Sequence, residues 1–347
     1  MEIRGIKNCR VRGIENTLIL FCRGGRCRLQ YPQANLITRT LATKRAKFSG
    51  ALCLVIAITK AVVTVTTRKR RKVDASKPRR LGQTLNTTRW KILADAVRGT
   101  SHNGTGQPCQ DAWLTSFCGT NERTIVATLS DGAGSAAFAE IGASLTCESI
   151  ISSISERLAK HPTVTQFTRA TIVQILNEAR IELIDQAESR KCDIRDFACT
   201  SLIAIVDPEI AVFAQLGDGA IVLSRADQYE PAFWPQEGEY ANTTNFLTDI
   251  NYSKTVEFKS FIEPIHEFSM FSDGLQRLAL DYSTRLGHVG FFRPLFQRLA
   301  VQSNPDDLRP LFRQFLDSPR INDRTDDDKT LVLATRRETD GTAHQSS

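Results

Sequence analysis

The sequence holds nine cysteines but no CxxC pair, and five histidines but no HxxxH pattern. An odd number of thiols without paired spacing fits reduced thiols in a cytoplasmic protein better than a disulfide framework or a cysteine-ligated zinc site. Acidic residues are nearly missing from positions 1–89, which carry 21 Lys and Arg against 3 Asp and Glu, a charge of +18. Positions 90–347 carry 24 against 35, a charge of −11, so the net +7 is the sum of two unlike segments. Such a split marks a basic leader on an acidic domain. The leader also has few aromatics for base stacking, which argues against a specific nucleic-acid partner.

Long apolar runs are limited to "FSGALCLVIAITKAVVTVT", residues 48–66, followed by the basic run at Arg68–Lys72. Two readings stand open for it. One is a membrane anchor, with contact through 48–72. Against that, Lys60 would cost about 2.5–3.5 kcal/mol in the bilayer. The 47 residues that precede the run are too many and too basic for a simple signal peptide. The other reading is a poorly ordered extension over 1–89, or an over-extended start of translation.

A regular βαβ alternation is missing as well, which counts against a doubly wound sheet. From Trp90 the pattern becomes that of an α+β domain reaching about residue 337, with residues 338–347 a disordered tail. "WKILADAV" alternates as a strand, and "TIVATLS" is an apolar strand over Thr124–Ser130. Helical spacing runs from Ser135 to about Ala159 and again from Val164 to Glu188. Strands at Thr200–Asp207, Ile210–Gly219 and Ala220–Arg225 read as an antiparallel meander. Residues 226–267 read as an irregular flap beside the sheet. A strand at Glu267–Leu275, helices at Gly290–Gln302 and Asp306–Leu316, and a closing strand in "DDDKTLVLATRR" complete the domain.

One device recurs in this domain. Asp131-Gly132, Asp218-Gly219 and Asp273-Gly274 each follow a hydrophobic strand, Asp327-Asp328 precedes one, and Asp111 ends a glycine-rich loop. A single Asp-Gly after a strand is most often only a turn, and Asp218-Gly219 also reads as a tight hairpin. Several such ends brought to one edge would repel one another unless cations lay between them. Oxygen donors without His or Cys suit hard ions such as Mg²⁺ or Mn²⁺.

In their order along the chain, "CQDAW", "SDGAGS", "QLGDGA", "FSDGL" and "DDKT" resemble the motifs of the metal-dependent PP2C-type (PPM) serine/threonine phosphatases, and most closely their bacterial branch. The resemblance spans residues 90–337. It implies an α/β/β/α four-layer sandwich of antiparallel sheets flanked by helices, with two Mn²⁺ or Mg²⁺ ions and room for a third. By that match Asp131 bridges two ions, Gly132 offers its carbonyl, Asp273 and Asp327 hold the first ion, Asp111 supports the second, and Asp218 belongs to a third site.

The implied activity is hydrolysis of phosphoserine and phosphothreonine in proteins, with a cognate serine/threonine kinase as counterpart and the chain a monomer. No HCxxxxxR pattern offers a cysteine nucleophile, which agrees with direct attack by water. Three positions depart from the family's pattern. Gln110 stands for a metal-binding Glu, Ala133 for a His, and Gly106 for an Arg that grips phosphate. In the same loop, Arg98 and His102 are the nearest candidates for phosphate contact, and His102 for proton transfer. The departures keep open a rival reading, an inactive regulatory or phosphoprotein-binding module on the same fold.

Overall fold

The computed structural model describes residues 19–23, 26–30, 90–104, 106–119, 123–236 and 244–336. The chain divides into two units, 1–82 and 83–347. In the first, β1 (Ile19–Arg23) and β2 (Arg26–Gln30) form an antiparallel ribbon. The apolar run at 48–66 and the tail at 338–347 lie outside the described residues. No helix among those described is long and apolar enough to cross a membrane.

The second unit is built on two five-stranded antiparallel sheets. Its elements in chain order are β3 (Lys91–Val97), β4 (Ala112–Cys118), β5 (Thr124–Ser130), α1 (Ala139–Lys160), α2 (Arg169–Arg190), β6 (Ser201–Val206), β7 (Ala211–Leu216), β8 (Ala220–Arg225) and β9 (Gln228–Pro231). They continue with α3 (Tyr252–Thr255), β10 (Glu257–Phe261), β11 (Glu267–Phe271), α4 (Gln276–Ala279), β12 (Leu280–Asp281), β13 (Leu286–Gly287), α5 (Val289–Val301), α6 (Arg309–Leu316), α7 (Pro319–Asn322) and β14 (Lys329–Thr335). One sheet runs β10-β7-β6-β5-β4 and the other β3-β14-β11-β8-β9.

Side chains alternate across a strand, so a strand buried on both faces reads as an unbroken apolar run. In β5, Ile125, Ala127 and Leu129 enter the core between the sheets, while Val126 enters the core under α1 and α2. In β14, Val332 and Ala334 face the inter-sheet core, and Leu331 and Leu333 face the core that holds Phe292, Phe296 and Phe312 of α5 and α6. Three apolar cores therefore separate four layers, the α/β/β/α sandwich the sequence implies.

Three expectations need correction. The meander of three strands does not exist: β6 and β7 pair, but β8 pairs with β11 and β9 in the opposite sheet. Asp218-Gly219 is thus the crossing between sheets and not a hairpin turn. Gly217 makes the crossing, at φ +107°, where any side chain would be strained and would strike Thr200. The segment 226–267 is no simple flap, because it supplies the edge strands β9 and β10. The second helix starts at Arg169 and not Val164; Thr168 caps it by accepting from Thr171 N–H, after a short 3₁₀ turn at Val164–Gln166.

Candidate functional site

Pairing register brings the acidic strand ends together. The start of β4 lies opposite the end of β5, Ala112 against Ser130, so Asp111 and Asp131 share an edge. The end of β11 lies opposite the starts of β14 and β8, Phe271 against Leu331 and Ala220. Asp273, Asp327 and Asp218 therefore leave the second sheet at one edge. The two edges meet: Asp111 bonds to Ser272 and Thr330 of the second sheet, the Asp131 carboxyl feels the charges of Asp111, Asp273 and Asp218, and Asp273 in turn feels Asp327.

Asp111 ties the sheets together. Its Oδ2 accepts from Ser272 Oγ and from Thr330 Oγ1, each at 2.7 Å, and its Oδ1 is buried without a partner. Thr200 fixes the other side, where its Oγ1 accepts from Asp131 N–H at 2.9 Å and its own N–H donates to the Asp131 carbonyl at 2.8 Å. Thr244 Oγ1 donates to Asp218 Oδ2 at 2.7 Å. Gly132 lies so close to the Gln110 and Ala139 carbonyls that a Cβ would stand 2.7 Å from each. The glycine is needed for close approach rather than for a sharp turn.

Gathering carboxyls in a partly dry edge makes ionisation costly. Burial, then neighbouring carboxylates, push Asp111 up to about 7. Burial followed by Asp327 and Asp218 does the same to Asp273, also to about 7. Burial raises Asp131 well above the ordinary carboxyl range, and it raises Asp218 and Asp327 as well. Among the described residues no three His, Cys, Asp or Glu side chains are already closed around one point. The oxygen-only donor set, the orphaned Asp111 Oδ1 and the excess of negative charge nevertheless fit hard divalent cations.

The loop before Asp111 carries the remaining candidates. Arg98 is exposed and turns onto its own loop, donating to Asn103 Oδ1 at 3.0 Å. His102 is buried, with Nε2 3.9 Å from Asp328 Oδ1, and its charge would be felt by Asp327. Gly106 sits in a left-handed turn at φ +69° with open space around it. The Gln110 side chain reaches toward Gly134, and Ala133 packs with Ala136, Ala139 and Ala198. The Cys109 thiol is driven far up by burial and by Asp111 and Asp328, so it is no nucleophile at neutral pH.

Sequence reasoning missed Asp328. Its Oδ1 accepts from Gly99 N–H and its Oδ2 from Gln110 N–H, both at 2.6 Å, which pins the whole loop to the start of β14. The signal was present in the acidic run Asp326–Asp328, but only geometry separates a fastening carboxylate from its neighbours.

A sequence profile described as protein phosphatase 2C matches residues 98–313. Serine/threonine-protein phosphatase 3 of Escherichia coli (strain K12) is 35% identical over 249 residues, covering 71% of this chain and 98% of that protein. A crystal structure of a bacterial serine phosphatase superposes with a TM-score of 0.51 at 15% identity, over 72% of this chain and 99% of the other. The matched span contains Asp111, Asp131, Asp218 and Asp273 at the shared edge, and on these grounds the chain belongs to the protein phosphatase 2C family.

Proposed function

We propose that the chain is a protein serine/threonine phosphatase and that the carboxylate edge is its active site. The observation that carries this is the meeting of five acidic strand ends, from two sheets, in a member of that family. Asp131, Asp273 and Asp327, with the Gly132 carbonyl, would hold two Mn²⁺ or Mg²⁺ ions; Asp111 would support them, and Asp218 would mark a third position. Such ions supply acidification of water and neutralisation of charge on a phosphoryl group.

The protein's own groups perform the rest. Asp111 is held rigid by Ser272 and Thr330, so its Oδ1 is presented without a rotamer to search. Thr200 locks the backbone of Asp131 in the same way. Arg98, exposed at the rim, is assigned to the substrate phosphate, and His102 to proton transfer at the departing seryl or threonyl oxygen. Substitution of His102 by Ala should slow an alkyl phosphate more than p-nitrophenyl phosphate, whose leaving group needs no proton. Phosphorylated proteins, products of a serine/threonine kinase, are the substrates on this reading.

The test is hydrolysis of a phosphothreonine peptide by the full chain with MnCl₂ or with EDTA. Activity should require the metal, and Asp131→Asn should lower kcat/KM by about 100-fold or more, the scale of losing one electrostatic stabiliser. Metal-independent activity, or activity unmoved by Asp131→Asn, would reject the site. Binding of the phosphopeptide without any turnover would favour the regulatory reading.

A further inference from the structure

A cavity of about 750 Å³ opens beside β9 and the β12–β13 hairpin, lined by Trp234, Gln236, Asn245, Glu257, Tyr282 and Arg285 among others. Its size is that of a ligand subsite. Two of its walls are bonded to the Gly217–Asp218 crossing. Gln236 Oε1 accepts from Gly217 N–H at 2.8 Å. The Tyr282 hydroxyl donates to Gln276 Oε1 at 2.8 Å, and Gln276 Nε2 donates to the Asp218 carbonyl. The cavity wall is therefore tied to the backbone of the crossing that carries Asp218.

Its chemistry is specific. The Arg285 guanidinium lies over the Trp234 ring, 4.9 Å from the centroid, and Tyr282 meets Trp234 edge-on at 5.2 Å and 87°. A guanidinium held over a ring by its charge still has N–H groups to offer an acceptor. Among the described residues no carboxylate stands within ion-pairing distance of Arg285. Glu257, the acid in the same cavity, is already engaged by Gln236 Nε2 at 3.1 Å. Gln236 is itself fixed, since its Nε2 also donates to the Thr255 carbonyl at 2.7 Å and its Oε1 accepts from Asn245 at 3.3 Å. The wall is preorganised; of its two charges, Glu257 already feels the cation of Lys259, which leaves the Arg285 guanidinium to meet an acidic ligand.

We propose that this cavity is the subsite for the polypeptide flanking the phosphorylated residue, and that Arg285 selects an acidic side chain there. The inference rests on the phosphatase reading and deepens it. Arg285 is exposed, at the end of a hairpin turn, so its substitution leaves the core untouched.

The test uses two phosphothreonine peptides that differ only in carrying Glu or Ala around the phosphothreonine. For the unaltered chain with MnCl₂, the kcat/KM ratio of the Glu peptide to the Ala peptide should be about 10, worth ~1.4 kcal/mol. Arg285→Glu should bring that ratio to 1 or below, and Arg285→Lys should keep part of it. A ratio near 1 in the unaltered chain, or one unmoved by Arg285→Glu, overturns the proposal. Fluorescence anisotropy of the same labelled peptides in EDTA reads the preference without turnover. An Arg285-dependent preference in binding with no hydrolysis in MnCl₂ would support the subsite and sink the phosphatase reading. Hydrolysis without preference would do the reverse.

Discussion

Asp111→Asn should make the metal-free protein more stable at alkaline pH. The amide can keep both hydrogen bonds, its oxygen accepting from Ser272 and Thr330 as Oδ2 does, while its NH₂ takes the place of the unpartnered Oδ1. What disappears is a buried charge. Asp111 titrates near 3.8 in the ordinary case and is pushed up to about 7 in the fold. The folded chain thus holds a proton that the unfolded chain has released. Its stabilising contribution is complete below the unfolded value and is lost as pH rises through about 7. A shift of roughly 3 units corresponds to about 4 kcal/mol, an upper bound that relaxation of a crowded site cuts to about 2.

For a unit of this size about 2 kcal/mol is roughly 4–8 °C in Tm. Thermal unfolding in EDTA at pH 8 should show Asp111→Asn that much above the unaltered chain, with the gap closing toward pH 4. MnCl₂ should raise Tm strongly in the unaltered chain and less in Asp111→Asn. An equal loss of stability at both pH values, with an unchanged response to MnCl₂, would refute the argument that repulsion at this edge is what cations relieve.

Other substitutions probe the frame around the edge. Gly132→Ala should cost about 1–3 kcal/mol in chemical denaturation, because its Cβ would stand 2.7 Å from two backbone carbonyls that cannot swing aside. Asp328→Asn should cost about 1–3 kcal/mol and weaken Mn²⁺ binding, since an amide can accept from only one of the Gly99 and Gln110 N–H groups and sets its NH₂ against the other. Calorimetric titration with MnCl₂ and urea unfolding check the two effects separately. Thr330→Val should lower stability by about 1–2 kcal/mol by removing one of two donors to Asp111.

Much of this was legible in the sequence because burial on both faces leaves a plain signal. The β5 and β14 runs are buried throughout and mostly apolar, and an acidic residue follows the first and precedes the second. The crossing at Asp218 was not legible. A Gly-Asp-Gly between two apolar strands is the same string whether the chain pairs back or changes sheet, and the pairing of β8 with β11, 47 residues later, decides it. The edge strands β9 and β10 escaped for a related reason: Glu257–Phe261 is half-exposed, so its pattern carries little hydrophobic alternation. Asp328 escaped because its role is defined by two backbone N–H groups far away in sequence.

The most direct measurement is anomalous X-ray scattering at the manganese edge from a crystal grown with MnCl₂. Two peaks among the Asp131, Asp273 and Asp327 carboxylates, each about 2.0–2.2 Å from its oxygen ligands as for a small hard cation, are the expected result. Manganese bound elsewhere, or those three carboxylates hydrogen-bonded to one another with no peak between them, would contradict the account.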